Sequence, residues 1–168
     1  MPGFLYKITS VDDFNHISGH ILPRGWGGVA TLWRSEINNI IKRVETSNPR
    51  IVAVQINKLL LLNVYMPSGN NKSKKSEYID TLEELDTIIN RHSTLDVTIA
   101  GDFNMDLFKD RYLNDHRRCR LMKLMDEFSL TNTTPGQITM SSHSGAHFSA
   151  IDMVLTNTPE NCKSKVWH

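Results

Sequence analysis

An excess of charge of one sign is the first thing this sequence lacks. Nineteen Lys and Arg residues stand against eighteen Asp and Glu, a formal charge of +1. A domain that grips nucleic acid by bulk charge would be more basic, so any phosphate contact must come from local patches. Cysteine is scarce too. Cys119 and Cys162 are too few for a disulfide framework and are not spaced as a zinc site, so an intracellular compartment, nuclear or cytoplasmic, is expected. No apolar run is long enough to span a bilayer, and Met1-Pro-Gly-Phe-Leu-Tyr-Lys7 has no signal-peptide pattern. Internal repeats and low-complexity tracts are absent. What remains is a chain of 168 residues, 39% hydrophobic and 22% charged, which fits one globular domain with a real core.

The periodicities divide that chain into strands and helices. Gly27-Gly-Val-Ala-Thr-Leu-Trp33 follows a Pro/Gly-rich turn and reads as a strand. Residues 35–44 carry Ile37, Ile40, Ile41 and Val44 at helical spacing but lie between strand-like runs, so helix and strand both stay open there. Residues 51–56 and 59–66 read as two strands joined by the Asn57-Lys58 turn, a hairpin that makes part of the sheet antiparallel. A loop is expected over 67–75. Tyr78, Leu82, Leu85 and Ile89 then mark an amphipathic helix over 76–91. Residues 96–101 read as a short buried strand. Leu121, Leu124, Met125 and Phe128 repeat the helical spacing, and 138–141 and 149–157 close the chain as strands around a Ser/His/Gly loop. Strands and helices alternate without a strict βαβ rhythm, so a sheet-based α/β or α+β sandwich is expected.

Three features could carry chemistry. Asp102 and Asn104 sit two apart in Thr98-Ile-Ala-Gly-Asp-Phe-Asn-Met-Asp106, at the end of a strand, where an extended backbone would point both the same way. A carboxylate beside an amide suits a hard cation and a phosphate together, although Gly, Asp and Asn are also ordinary turn residues. Asn63 and Tyr65 share a strand face with Leu59 and Leu61. They read either as a hydrogen-bonded structural amide with a core tyrosine, or as a phosphate-facing pair at the strand end. Asp152 shares a face with Ala150 and Val154 on an apolar strand, so it needs a partner: a metal site, a histidine or a loop hydrogen bond. Basic residues cluster at Lys72, Lys74 and Lys75, just after Tyr65, and at Arg117, Arg118 and Arg120. Such runs are usually solvated faces, but the lysines are placed to contact a nucleic-acid backbone.

Four runs in order join these signals. Arg24-Gly-Trp-Gly-Gly-Val-Ala30, Leu62-Asn-Val-Tyr-Met-Pro67, Ile99-Ala-Gly-Asp-Phe-Asn104 and Ser149-Ala-Ile-Asp152 resemble the endonuclease/exonuclease/phosphatase family. The closest likeness is to the apurinic-type endonuclease domains of non-LTR retrotransposons, over about residues 20–157. The resemblance implies an α+β fold, a four-layer α/β/β/α sandwich with the active site at one end. It implies that Asp102 and Asn104 contact the scissile phosphate, position the attacking water and help hold Mg²⁺ or Mn²⁺. Tyr65 would contact phosphate, and Asp152 would orient the catalytic histidine. Asn63, Lys72, Lys74 and Lys75 join them as candidate phosphate contacts, with DNA as partner.

Departures from the family pattern are equally legible. The family's metal-binding glutamate lies on an early strand, yet the only carboxylates upstream of Arg24 are Asp12 and Asp13. The early asparagine is missing as well. The closing Ser-Asp-His run lies some tens of residues beyond the strand aspartate, and the sequence ends sixteen residues after Asp152; Asp115-His116, which precedes a helix, is not that motif. The expected function is therefore metal-dependent hydrolysis of phosphodiester bonds in DNA, with a catalytically inactive nucleic-acid- or protein-binding remnant as the alternative. Exposed sheet edges would leave a single domain trimmed at both ends marginally stable or prone to associate.

Overall fold

Burial on both faces explains the centre of the molecule. In the computed structural model, which describes residues 3–10, 28–141 and 147–163, strand β4 (Ile51–Ile56) has Ile51, Val52, Ala53 and Val54 all fully buried. A strand that is apolar on both sides must lie between two layers. It pairs antiparallel with β5 (Leu59–Tyr65) through the two-residue turn at Asn57 and Lys58. Asn57 takes φ 52, a left-handed conformation its short side chain tolerates.

The rest of the main sheet grows from this hairpin. β3 (Ile41–Val44) pairs with β4 on one side; on the other, β6 (Asp96–Asp102) runs parallel to β5. β10 (Asp152–Thr156) and β7 (Thr131–Asn132) complete the order β3-β4-β5-β6-β10-β7. The parallel β5–β6 pair needs a crossover, supplied by α1 (Lys72–Arg91). α1 and α2 (His116–Glu127) cover one face, where Tyr78, Leu82, Leu85, Leu121 and Leu124 meet Leu60, Leu62, Val64 and Ile99. Fully burying each such leucine contributes about 2 kcal/mol. A two-stranded ribbon, β1 (Phe4–Ser10) with β2 (Gly28–Arg34), packs on the opposite face. A short hairpin, β8 (Met140–Ser141) with β9 (Phe148–Ser149), stands before β10. The class is α+β, and the described residues form three layers: helices, main sheet and ribbon.

Several sequence expectations are corrected in detail. Residues 35–44 divide into a 3-10 turn (Ser35–Ile40) and then β3. The first helix begins at Lys72, four residues before the expected start at Ser76. Asn71 caps it, its side chain accepting the Lys74 N–H at 2.8 Å, so Lys72, Lys74 and Lys75 lie in the first helical turn rather than in a loop. The strand expected over 149–157 is broken. Ala150 donates its N–H to the Asp106 carboxylate at 3.0 Å and Ile151 accepts from Phe103, which bends the chain before Asp152 starts β10. Asp152 is thus an exposed strand-end residue and shares no strand face with Ala150. Arg117 is buried rather than solvated. Asp12, Asp13, Trp26, the first half of the glycine-rich run and the 142–146 loop lie outside the described residues.

Candidate active site

Register brings the separate motifs together. Asp102, the last residue of β6, is the direct partner of Tyr65 on β5 and of Asp152 on β10. Directly paired residues on neighbouring strands project to the same face, about 5 Å apart. Tyr65, Asp102 and Asp152 therefore form one row across three strands at one end of the sheet. Their neighbours Val64 and Met153 belong to the helix-side core, so the row faces the other way.

Beyond Asp102 the chain turns sharply, contrary to the extended conformation expected for Asp102 and Asn104. Asn104 adopts φ 48, and its N–H donates to Asp102 Oδ1 at 2.7 Å. An aspartate that closes a turn two residues ahead is ordinary turn chemistry, so turn and site are the same object here. Asn104 Nδ2 donates to the Met66 carbonyl at 2.8 Å. Tyr78, fully buried in α1, donates its hydroxyl to the Phe103 carbonyl at 3.1 Å. The Met66 N–H donates to the Asp102 carbonyl, also at 2.8 Å. Every backbone group around Asp102 and Asn104 named here is thus tied to β5, α1 or the β10 approach.

Electrostatics mark Asp102. Partial burial pushes its carboxyl up to about 6; the Asn104 N–H opposes this and the Asp152 charge adds to it. The ion pairs among the described residues lie elsewhere. Two facing carboxylates that repel one another across a strand pair suit an oxygen-seeking dication.

The remaining candidates fall into different places. Asn63 shares the face of Tyr65, but its Nδ2 donates to the Ala30 carbonyl of β2 at 2.8 Å and bridges the two sheets. Asn63→Ala is expected to cost about 1 kcal/mol in urea denaturation, the loss of a partly buried hydrogen bond between the two sheets. Lys74 is held by Glu77 at 2.7 Å, and Lys75 lies 3.6 Å from Asp115. Lys72, at the start of α1, is exposed.

Residues that sequence reasoning missed support this site. Asp106 is buried; besides Ala150 it accepts the Phe108 N–H, while Lys109 reaches Ser149 Oγ at 2.7 Å and the Phe148 carbonyl. Together they hold the segment before Asp152 against the loop after Asp102. Arg117 donates to Asp115, the Gly69 carbonyl and Asn70 Oδ1, and its guanidinium lies 5.6 Å from the Tyr78 ring centre. Their sequence signals were slight: Asp106 ended the Thr98–Asp106 run, Arg117 belonged to a basic cluster, and Lys109 carried none. A cavity of about 180 Å³ beside Asn104 is lined by Ser68, Asn70, Tyr112, Met140, Ser149 and Ile151, among others. A larger one, about 570 Å³, lies between β1 and the β3 end and touches none of the row residues.

A mixed sheet with helices on one face, a second sheet on the other and a polar row at the strand ends defines the endonuclease/exonuclease/phosphatase fold. Solved structures share it. A 3′-phosphatase, NExo, from Neisseria bound to a product DNA hairpin is 15% identical, with a TM-score of 0.66, over 92% of this chain and 66% of that one. The 3′-5′ exonuclease NExo from Neisseria meningitidis (16% identity, TM-score 0.66) is covered over 67% of its length by 92% of this chain. An AP endonuclease from Archaeoglobus fulgidus (16%, 0.61) is covered over 68% by 94% of it. This chain therefore spans about two thirds of the length of these nucleases. The sequence profile described as endonuclease-reverse transcriptase matches residues 59–168, and the chain belongs to that family. Comparison with curated proteins gives no match.

Proposed function

We propose that this domain hydrolyses phosphodiester bonds in DNA, in the manner of a retroelement endonuclease, with Mg²⁺ or Mn²⁺ as cofactor. The observation that carries the reading is the single row of Tyr65, Asp102 and Asp152, with Asn104 folded against Asp102. The described residues hold no cluster of three or more His, Cys, Asp or Glu side chains, but two carboxylates and an amide are hard oxygen ligands, and Mg²⁺ commonly takes one or two carboxylates and completes its shell with water and substrate phosphate. Asp102, Asp152 and Asn104 are the residues that would hold it. Bound there, the ion would stabilise charge on the phosphorus and on the leaving oxygen.

The chain's own groups supply the rest. The Tyr65 hydroxyl and the Asn104 amide orient the non-bridging phosphate oxygens. The Asp102 carboxylate, tied to the Asn104 N–H, orients the attacking water beside that phosphate. Lys72, at the start of α1, contributes a backbone-phosphate contact.

A plasmid-relaxation assay tests the reading. Supercoiled DNA with Mg²⁺ should be nicked by the wild-type chain, and Asn104→Ala should nick at least about 100-fold more slowly, as for loss of a group that acts on the transition state. Equal nicking by both proteins would overturn it. Salt-dependent DNA binding with no nicking above an EDTA control would replace it with a binding module.

A further inference from the structure

One residue, Arg50, holds Tyr65 at its backbone N–H, its carbonyl and its ring. Its N–H donates to the Arg50 carbonyl at 3.0 Å, and its own carbonyl accepts from Arg50 Nη1 at 3.3 Å. The Arg50 guanidinium also lies over the phenol ring, 5.4 Å from its centre. Arg50 is 4% exposed, so it is closed to a phosphate. A buried guanidinium is costly unless its charge and its donors are met. Glu77 meets them through Nε at 2.7 Å, and the other Glu77 oxygen is held by Lys74 at 2.7 Å. A simple apolar side chain would fill the same space without that cost.

We infer that Arg50 is a positioning residue for Tyr65, with Glu77 and Lys74 holding the guanidinium in place, so that the phenol hydroxyl stands ready for a phosphate oxygen beside Asp102. The inference rests on the reading of Tyr65 as a phosphate contact. It removes Lys74 from the phosphate-binding set and gives it a structural task. A planar fork is required for simultaneous stacking and hydrogen bonding, so lysine is no substitute for arginine here.

A double-mutant cycle with an independent spectroscopic arm tests it. Tyr65→Phe and Arg50→Met are each expected to weaken duplex DNA binding, or slow Mg²⁺-dependent nicking, about 10-fold, the scale of one hydrogen bond to a charged group. The double variant should lose about 10-fold as well, because Arg50 acts only through the Tyr65 hydroxyl. Arg50→Lys should behave like Arg50→Met, and the salt dependence of binding should not change in either. A multiplicative loss of about 100-fold in the double variant would overturn the inference. So would a salt slope reduced by about one phosphate contact in Arg50→Met.

The aromatic NMR signals of Tyr65 provide the arm that needs no DNA. They should shift, and ring flipping should accelerate, in both Arg50 variants. Unchanged Tyr65 signals would overturn the inference even if the wild-type chain neither binds nor cuts DNA, an outcome that by itself counts against the nuclease reading alone. Should Arg50→Met fail to fold, Glu77→Gln loosens the guanidinium without removing it. A smaller shift of the Tyr65 signals in the same direction is then expected, and no shift would overturn the inference.

Discussion

Asp102→Asn is expected to make the protein more stable and, at the same time, to abolish the metal-dependent nicking proposed for it. The stability half follows from the raised carboxyl, which sits at about 6 against an ordinary 3.8. The native state therefore binds this proton more tightly than the unfolded chain does. The favourable contribution is complete below about pH 4 and is lost as pH rises through about 6. At neutral pH the ionised carboxylate is a burden, borne in partial burial opposite Asp152. Asparagine removes the charge while its Oδ1 can still accept the Asn104 N–H. Discounted for the solvent that reaches this side chain, the gain is about 1 kcal/mol, or roughly 2–4 °C in midpoint for a domain of this size. It should be read at pH 7.5 in EDTA. At pH 4 the difference should vanish, because the wild-type carboxyl is then protonated as well. A lower midpoint for the variant at pH 7.5 would show that Asp102 is not strained.

Nicking should fall at least about 1,000-fold in the same variant, since the amide offers no charged oxygen to a cation. Activity bought with native-state strain is common at catalytic carboxylates. Retention of nicking by Asp102→Asn would sink its assignment as a carboxylate that holds the cation.

The second large effect concerns the residue before it. Gly101 has φ +142, and a Cβ built there would stand 2.0 Å from the Val64 carbonyl oxygen and 2.9 Å from its carbon. Those are backbone atoms of the parallel partner strand, in the middle of the core, and they cannot rotate away. Gly101→Ala must therefore push β5 and β6 apart, at a cost of at least about 3 kcal/mol, well beyond an ordinary substitution. The urea midpoint should fall accordingly, and nicking should be lost even where the fold survives, because the same pairing sets Tyr65 beside Asp102. Gly136→Ala is the control. Its φ is +69, but nothing lies within 4 Å of the added carbon, so only the backbone penalty of about 1–2 kcal/mol applies. Equal destabilisation by the two substitutions would refute the steric argument.

The amphipathic stripe of α1 was legible because 3.6-residue periodicity is local: Tyr78, Leu82, Leu85 and Ile89 are all buried. The β4–β5 hairpin was legible for the same reason, its turn residues lying between two apolar runs. The start of α1 was not, because a capping asparagine followed by three lysines looks like a loop until the Asn71 side chain is seen to close the first turn. The strand face shared by Asp152 and Ala150 was misjudged because the break between them is made by Asp106, forty-four residues before Ala150.

Composition and periodicity were enough for a sheet-based α/β or α+β domain, and the resemblance of four short runs to a known family pointed to a nuclease and to Tyr65, Asp102, Asn104 and Asp152 as residues worth weighing together. Each was ambiguous alone, since a turn, a core tyrosine and a strand-end aspartate are common. Only the tertiary structure decided that Tyr65, Asp102 and Asp152 share one row, that Asn63 bridges two sheets, and that Arg50 and Arg117 are buried supports rather than surface charge. The reason is physical. Strand identity is written in neighbouring residues, whereas register and side-chain partnership depend on segments tens of residues apart that meet only when the core closes.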